Sequence, residues 1–226
     1  MERKIRLPRT TADGKPRISY SQYKLWKDLN SFNLGVDGWK EYIVNYFLGF
    51  RFPDKGWGEF GRDVEDYVCT RKGKEKFKSL ERKTLDKIKP LGTFQKEIEV
   101  DFGEFVLFGY IDDCKEDLSV IRDYKTASKS SKEKYYSSDF CQLDFYAMFA
   151  IQETGEIPDL EVVIIERKGN CMFSGGREKL SVGTNIWTNP IYTDLDRIEH
   201  LKEDLTSVVH EISDYYNLYL SLINKK

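Results

Sequence analysis

The spacing of apolar residues changes near residue 90, and this change limits the chain to a fold that combines helices with a sheet. Before that point the apolar residues recur at helical spacing, and after it short runs alternate in the manner of strands. Helices are predicted at about 19–30, 37–47, 59–69 and 74–87, and strands at about 94–100, 105–111, 118–124 and 160–166. The first three strands are predicted to form an antiparallel meander.

The rest of the chain is predicted to continue with both kinds of element. A helix is expected from about 138 to 152, and a further pair of strands between Cys171 and Trp187. The last thirty residues carry apolar side chains at helical spacing, which predicts one long amphipathic helix or a broken pair. A chain of 226 residues fits one domain. We predict a basic arm at 1–17 and a single domain at 18–226, with a helical N-terminal part (18–90) and a C-terminal helix (194–224).

The charge of the chain is balanced in total but unevenly distributed. With 36 Lys and Arg against 38 Asp and Glu, the net charge is −2, which excludes a uniformly basic, histone-like surface. Residues 1–17 and 71–89 are strongly basic, whereas 97–117 holds eight acids and one lysine. The 71–89 stretch fits either a solvated helix face or a surface that contacts phosphates.

The cysteines and the apolar runs indicate the cellular compartment of the protein. None of the four cysteines forms a CxxC pair, so a zinc finger, a redox motif and a disulfide framework are poorly supported. The first residues lack the apolar region of a signal peptide, and no apolar run approaches the roughly 20 residues of a membrane span. We expect a cytoplasmic protein with reduced thiols and no membrane contact.

Several catalytic patterns are absent or unconvincing. The G-x-G-x-x-G match at 56–61 lacks the preceding strand and the later acid of a dinucleotide site, so it more simply shapes a loop into a helix. His200 and His210 have no accompanying ligand pattern, and no serine or cysteine lies in a nucleophile motif. The chemistry must therefore come from carboxylates.

Carboxylates gather in the segment 109–126, where two neighbouring strands end in acids. A hairpin can bring Asp112 beside Asp123, and Lys125 shares a face with Asp123 because strand residues alternate. Clustered carboxylates repel one another unless a cation lies between them, and oxygen ligands favour Mg²⁺ or Mn²⁺. A nearby lysine can hold water or offset phosphate charge, so the set suits phosphodiester hydrolysis. Taken singly, each acid could simply end a strand and the lysine could be solvated.

The residues around these acids resemble the catalytic core of the PD-(D/E)XK nuclease superfamily, most closely its RecB-like exonuclease branch. In that branch one strand ends in glycine, a hydrophobic residue and an acid, and the next in D-x-K-T. A helix with glycine and, four residues on, His or Glu precedes them, and a Q-x-x-x-Y helix follows. The matching positions, within 19–166, are an S-x-S-Q opening at 19–26 and Gly61, Glu65, Gly109, Ile111, Asp112, Val120, Ile121, Asp123, Lys125, Thr126, Gln142 and Tyr146, with Arg122 as an added residue.

The resemblance implies an α/β fold of the restriction-endonuclease-like kind, a mixed central β-sheet flanked by α-helices. It also implies a Mg²⁺ site, in which Mn²⁺ can substitute. The implied metal ligands are Asp112, Asp123, the main-chain carbonyl of Tyr124 and Glu65, which stands where many members have His. Lys125 would position the attacking water. Gln142 and Tyr146 would contact the nucleic-acid backbone, and Lys129, Lys132 and Lys134 lie where they could meet phosphates. The cysteines that hold an iron–sulfur cluster in some relatives are absent, so no such cluster is expected.

The function that this resemblance implies is that of a metal-dependent DNA exonuclease in recombination, repair or phage DNA processing. A structure-specific or sequence-specific endonuclease of the same fold, and a non-catalytic nucleic-acid-binding module, remain as alternatives. The expected partners are DNA and a single-strand annealing or recombination protein, in the host cytoplasm if a phage encodes the chain. Polarity, strand preference and oligomeric state stay open.

Overall fold

A computed structural model of the protein describes residues 4–30, 35–50, 56–136, 141–171 and 176–224. Within these residues the chain forms six α-helices and six β-strands. The helices are α1 (Tyr20–Asn30), α2 (Gly35–Tyr42), α3 (Trp57–Thr70), α4 (Ser79–Leu85), α5 (Gln142–Thr154) and α6 (Leu195–Ile223). The strands are β1 (Arg17–Ser19), β2 (Thr93–Asp101), β3 (Val106–Cys114), β4 (Val120–Ala127), β5 (Asp159–Lys168) and β6 (Ser181–Ile191).

The six strands form one mixed sheet in the order β1-β3-β4-β5-β6, with β2 also paired to β3. β3 and β4 are antiparallel, as their short connection requires, whereas β4 and β5 are parallel and joined by a crossover that contains α5. β1 is parallel to β3, and β6 is antiparallel to β5. This arrangement of a mixed sheet flanked by helices confirms the predicted α/β, restriction-endonuclease-like fold class.

Some predicted elements differ from the structure in detail. The predicted pair of strands between Cys171 and Trp187 is wrong, because β6 is a single strand that pairs with β5 along most of its length. The C-terminal segment is one continuous helix, α6, and the broken pair is not found. The predicted helix at 74–87 is a short 3₁₀ turn followed by α4. Of the predicted 138–152 helix, residues 138–140 lie outside the described residues, and α5 begins at Gln142.

The chain divides into two compact units, and the first comprises Met1–Phe52, Ile98–Gly109 and Leu195–Lys226. Its core is aromatic: the ring of Trp26 meets Trp39, Tyr42 and Tyr215 with centroids 5.0–5.3 Å apart. Edge-to-face contacts of this kind stabilise beyond the area they bury. In the basic arm, Ile5 and Leu7 are buried, so these two apolar residues contribute to the core of the unit.

The second unit comprises Pro53–Glu97 and Tyr110–Asp194, and it holds every residue of the predicted site. In α3, buried apolar residues recur at helical spacing, so one side of the helix faces a core shared with β4, β5 and β6. Each such side chain stabilises by about 1.5–3 kcal/mol when fully buried. The core residues of α3 are Phe60, Val64, Tyr67 and Val68, and those of the sheet are Tyr124, Val163, Ile165 and Val182. This packing fixes the position of α3, which carries Glu65.

An ion-pair cluster connects α3 to two segments that are distant from it in the sequence. Asp63, on α3, is only 5% exposed and accepts hydrogen bonds from Lys76 Nζ at 2.6 Å and from Arg177 Nε at 2.5 Å. Burial raises the pKa of Asp63, but the two hydrogen bonds outweigh it, so the pKa lies below its usual value. The guanidinium of Arg177 also stacks on the rings of Phe60 and Phe77, at 5.1 and 5.2 Å.

All four cysteines are free thiols, and each belongs to the described residues. Among the described residues, no helix combines the length and the apolar character that a membrane span needs.

Candidate active site

The β3–β4 hairpin brings two acids of the candidate site together. Asp113 pairs with Arg122 and Cys114 with Ile121, and continuing this register by one pair sets Asp112 opposite Asp123. The backbone N–H of Tyr124 donates a hydrogen bond of 2.9 Å to Asp112 Oδ2. The carboxyl of Asp112 is thereby held against the middle of β4. The predicted meeting of the two acids is seen in the structure.

Lys125 shares its face of β4 with Asp123 because the two residues are two apart on the strand. Its Nζ donates a hydrogen bond of 2.7 Å to Asp123 Oδ1 and lies 2.7 Å from Oδ2. Asp123 is fully buried, and burial together with the charge of Asp112 raises its pKa to about 7, against the lowering effect of Lys125. Burial lowers the pKa of Lys125, but the two acids outweigh it and raise that pKa.

Glu65 adds a third carboxylate from α3. Gln95, on β2, donates a hydrogen bond from Nε2 to Glu65 Oε1. Burial, followed by the charge of Asp112, raises the pKa of Glu65 to about 8. Burial also raises the pKa of Asp112. The three carboxylates are therefore close enough to act on one another electrostatically, and burial is the largest cause of each raised pKa.

Gln142 and Tyr146 lie one turn apart at the start of α5. Gln142 Nε2 donates a hydrogen bond of 2.7 Å to the hydroxyl oxygen of Tyr146. Tyr146 is 4% exposed, and burial followed by the charges of Asp112 and Asp123 raises the pKa of its hydroxyl well above the usual value. The hydroxyl is thus within the field of the acids, and this placement brings both predicted residues to the site.

The side chain of Tyr124 has a structural role. Its ring belongs to the apolar core beneath α3, and its hydroxyl donates a hydrogen bond of 2.7 Å to Asp113 Oδ2. Asp113 is fully buried and also accepts the N–H of Leu91 at 2.9 Å. Asp113, next to Asp112 in the sequence, therefore has a structural role. The predicted part of the Tyr124 carbonyl in a metal site stays a prediction.

The three predicted phosphate-binding lysines differ in their surroundings. Lys129 is exposed, and Lys132 is half-buried, with its Nζ 5.0 Å from the ring centroid of Trp187. Lys134 is exposed and lines the cleft that contains the acids. The structure therefore brings Lys134 to the site, whereas the DNA contacts of all three lysines stay a prediction.

One cleft of about 550 Å³ contains Glu65, Asp112 and Lys125. Sequence reasoning did not single out five of its lining residues, Trp57, Arg62, Ser131, Tyr135 and Arg167. The remaining lining residues are Gly58, Gly61, Tyr124, Thr126 and Lys134. For Trp57 the glycine-rich 56–61 match was an available signal, whereas nothing in the sequence around Arg167 indicates that β5 ends at this cleft.

The glycine-rich segment begins α3 and follows no strand that pairs with it among the described residues. Gly56 has a φ of +89°, and a Cβ there would lie 2.7 Å from Arg177 N and 2.8 Å from Gly176 C. Only glycine fits both the left-handed backbone and the close approach of the neighbouring chain. The prediction that these glycines shape a loop into a helix is confirmed.

The donor set fits a hard divalent cation by its chemistry. Asp112, Asp123 and Glu65 offer carboxylate oxygens, the ligands that Mg²⁺ and Mn²⁺ prefer, and burial raises the pKa of all three groups. Among the described residues, however, no three His, Cys, Asp or Glu side chains are grouped as a metal site. In this conformation the Lys125 ammonium supplies the counter-charge of Asp123. Asp112 and Asp123 therefore fit as ligands, and the full set stays a prediction.

Comparison with known proteins shows a shared fold. A crystal structure of a candidate exonuclease from Eubacterium rectale is similar to this chain, with a TM-score of 0.52 and 14% sequence identity. The similarity covers 92% of this chain and 88% of that one. No protein-family model and no curated protein matches the chain. The likeness supports a nuclease-like fold, and function has to be argued from the site.

Proposed function

We propose that this protein is a metal-dependent nuclease of the PD-(D/E)XK type that hydrolyses phosphodiester bonds in DNA. The observation that carries the proposal is the convergence of Asp112, Asp123 and Lys125 on the β3–β4 hairpin, at a cleft that Asp112, Lys125 and Glu65 line. A structural ion pair needs one acid for one lysine. Here several acids surround one half-buried lysine, which is costly for folding and therefore supports a functional site.

The chain's own residues would divide the work of hydrolysis. Asp112 and Asp123 would hold Mg²⁺, with Glu65 near them. When bound, this ion lowers the pKa of water and offsets phosphate charge. Lys125, an ammonium with three donors, would orient the attacking water and stabilise the charge that develops on the phosphate oxygens. Its raised pKa keeps it protonated at neutral pH.

Tyr146 and Gln142 would assist from α5. The hydroxyl of Tyr146 accepts a hydrogen bond from Gln142, so its own proton remains available as a donor. The charges of Asp112 and Asp123 act on this hydroxyl, so a phosphate oxygen bound near these acids would lie close to it. The pair would therefore hold the backbone close to the reacting phosphate.

The mode of cleavage and the biological process are part of the same proposal. The fold shared with a candidate exonuclease favours action at strand ends. The proposed setting, taken from the sequence resemblance, is recombination, repair or phage DNA processing. A single-strand annealing or recombination protein is the proposed partner. Mg²⁺ is the proposed ion, with Mn²⁺ as a substitute.

The test is cleavage of end-labelled linear DNA in the presence of Mg²⁺ or Mn²⁺. We expect the wild-type chain to release nucleotides, and Asp123→Asn to lose at least 100-fold in rate, as expected when a metal ligand is removed. Glu116→Gln is the matched control, because Glu116 is an exposed acid in the turn of the same hairpin. Equal cleavage by wild type and Asp123→Asn would refute the proposal.

Circular substrates then separate the modes of action. An exonuclease leaves covalently closed circles intact, whereas an endonuclease linearises them. A wild-type chain that binds DNA but cleaves neither linear nor circular substrates with either ion would be a binding module instead.

A further inference from the structure

Arg167 lies at the end of β5 and lines the cleft of the candidate active site. Its guanidinium stacks on the indole of Trp57, with Cζ 5.4 Å from the ring centroid. Within the part of the chain that the structure describes, this side chain pairs with no acid, and its buried Nε has no hydrogen-bond acceptor. Arg167 is therefore a half-buried cation without a counter-charge.

Other half-buried arginines of the same unit have acceptors: Arg82 donates to two main-chain carbonyls, and two further arginines have acidic partners. Arg122 Nη2 lies 2.8 Å from Glu161 Oε2. Arg177 Nε lies 2.5 Å from Asp63 Oδ2. A cation–π contact offsets only part of the free energy lost when a buried charged donor has no acceptor. The position of Arg167 is thus prepared for an anion that enters through the cleft.

The surroundings of the cleft indicate which anion this is. Arg167 follows Glu166, the last residue of β5 that pairs with β4, and the β5–β6 register shifts between Ile165 and Arg167. Arg167 and Lys125 line the same cleft of about 550 Å³. A phosphate at Arg167 would then flank a phosphate at Lys125. A guanidinium also presents paired donors that match phosphate oxygens, and the indole of Trp57 fixes its plane.

We propose that Arg167, held by Trp57, forms a phosphate subsite that binds the nucleic-acid strand beside the reacting phosphate. This inference rests on the proposed nuclease function and extends it, since it names a substrate-binding residue outside the acidic set. The bound group is either an internal phosphodiester or the phosphate at a strand end. Arg62 and Lys134 line the same cleft and add positive charge to it.

The test measures binding of a fluorescein-labelled oligonucleotide by anisotropy in EDTA, so that no cleavage is needed. We expect Arg167→Gln to weaken binding about 5- to 20-fold and to reduce the slope of log affinity against log salt by about one. Arg167→Lys should keep the wild-type slope and recover only part of the affinity that Arg167→Gln loses. Lysine retains the charge but not the paired donors of the guanidinium. In cleavage assays, Arg167→Gln should raise KM more than it lowers kcat.

Arg17→Gln is the matched control. Arg17 also stacks on an aromatic ring, Phe108, at 4.2 Å, but it is ion-paired with Glu99 and does not line the cleft. We expect this variant to bind like the wild type. Equal losses for Arg17→Gln and Arg167→Gln, no loss for Arg167→Gln, or no binding by the wild type would each overturn the subsite.

Further arms identify the phosphate and separate this inference from the nuclease function. If the effect of Arg167→Gln is confined to 5′-phosphorylated oligonucleotides, the subsite binds a terminal phosphate, and if it is equal without that group, an internal one. A wild-type chain that cleaves DNA with no contribution from Arg167 would refute only the subsite. Arg167-dependent binding without cleavage under any ion would refute only the nuclease.

Discussion

Lys125 Nζ lies 2.7 Å from each carboxylate oxygen of Asp123, the residue two positions before it on β4. Strand alternation alone places both side chains on one face, but the contact persists because Asp123 is fully buried and has this ammonium as its counter-charge. The two residues therefore depend on one another. Asp112, across the hairpin, adds a second negative charge to the same lysine.

The dependence of Asp123 on Lys125 leads to the first prediction. Lys125→Met should lower the cleavage rate about 10²- to 10³-fold, the usual cost of losing one charged group that stabilises a transition state. The pKa of Asp123 should rise above its present value of about 7, because Lys125 holds it down. Rates under saturating Mn²⁺, with circular dichroism as a check of folding, measure the effect. Lys115→Met, an exposed lysine in the hairpin turn, should cleave normally.

Removal of the Tyr146 hydroxyl should reduce activity more than stability. Tyr146→Phe leaves the Gln142 donor without its acceptor, which costs about 1 kcal/mol of unfolding free energy. We expect cleavage to fall about 10-fold or more, as is typical when one positioned polar group is lost. Tyr110→Phe, whose exposed hydroxyl contacts Glu97, is the control. A Tyr146→Phe enzyme of wild-type rate would confine Tyr146 to a packing role.

Asp63 should contribute stability that acid removes. Its folded pKa is lowered by Lys76 and Arg177, so the stabilisation is complete above the unfolded pKa of about 4 and is lost as pH falls through the lower folded pKa. Asp63→Asn should therefore cost about 2–3 kcal/mol at pH 7, and the difference from wild type should shrink below about pH 4. Urea unfolding at pH 7 and pH 3 measures this. Asp37→Asn, which alters the exposed pair with Lys40, should behave like the wild type. A loss from Asp63→Asn that does not depend on pH would contradict the ion-pair explanation.

Two glycines of the same motif should respond oppositely to alanine. Gly56→Ala introduces a Cβ 2.7 Å from Arg177 N at a φ of +89°, and we expect a loss of about 2–4 kcal/mol in unfolding free energy. Gly61 lies within α3, where a Cβ meets nothing within 4 Å, so Gly61→Ala should gain about 0.5–1 kcal/mol. Thermal unfolding of both variants provides the comparison. Similar losses for the two would show that the close approach at Gly56 is not the cause.

Local patterns were enough to predict the central part of the candidate site. The two strands ending in acids, the D-x-K spacing and the i, i+4 spacing of Gln142 and Tyr146 are short-range features, and strand and helix periodicity turn them directly into shared faces. Glu65 was more distant in sequence, and it was found only through the resemblance to a nuclease family. The extent of β6 and the continuity of α6 were beyond such patterns, since pairing with β5 and packing decide where an element ends.

The sequence by itself determined that helices combine with a sheet and that Asp112, Asp123 and Lys125 meet on one hairpin, because both follow from periodicity and spacing within short segments. Only the tertiary structure decided that Lys125 pairs with both oxygens of Asp123 and that Asp113 accepts a hydrogen bond from the Tyr124 hydroxyl. Only it placed Arg167 on Trp57 beside the acids, 110 positions later in the chain. The physical reason is that burial, ion pairing and cleft shape depend on contacts between distant segments, and no local pattern encodes which segments will meet.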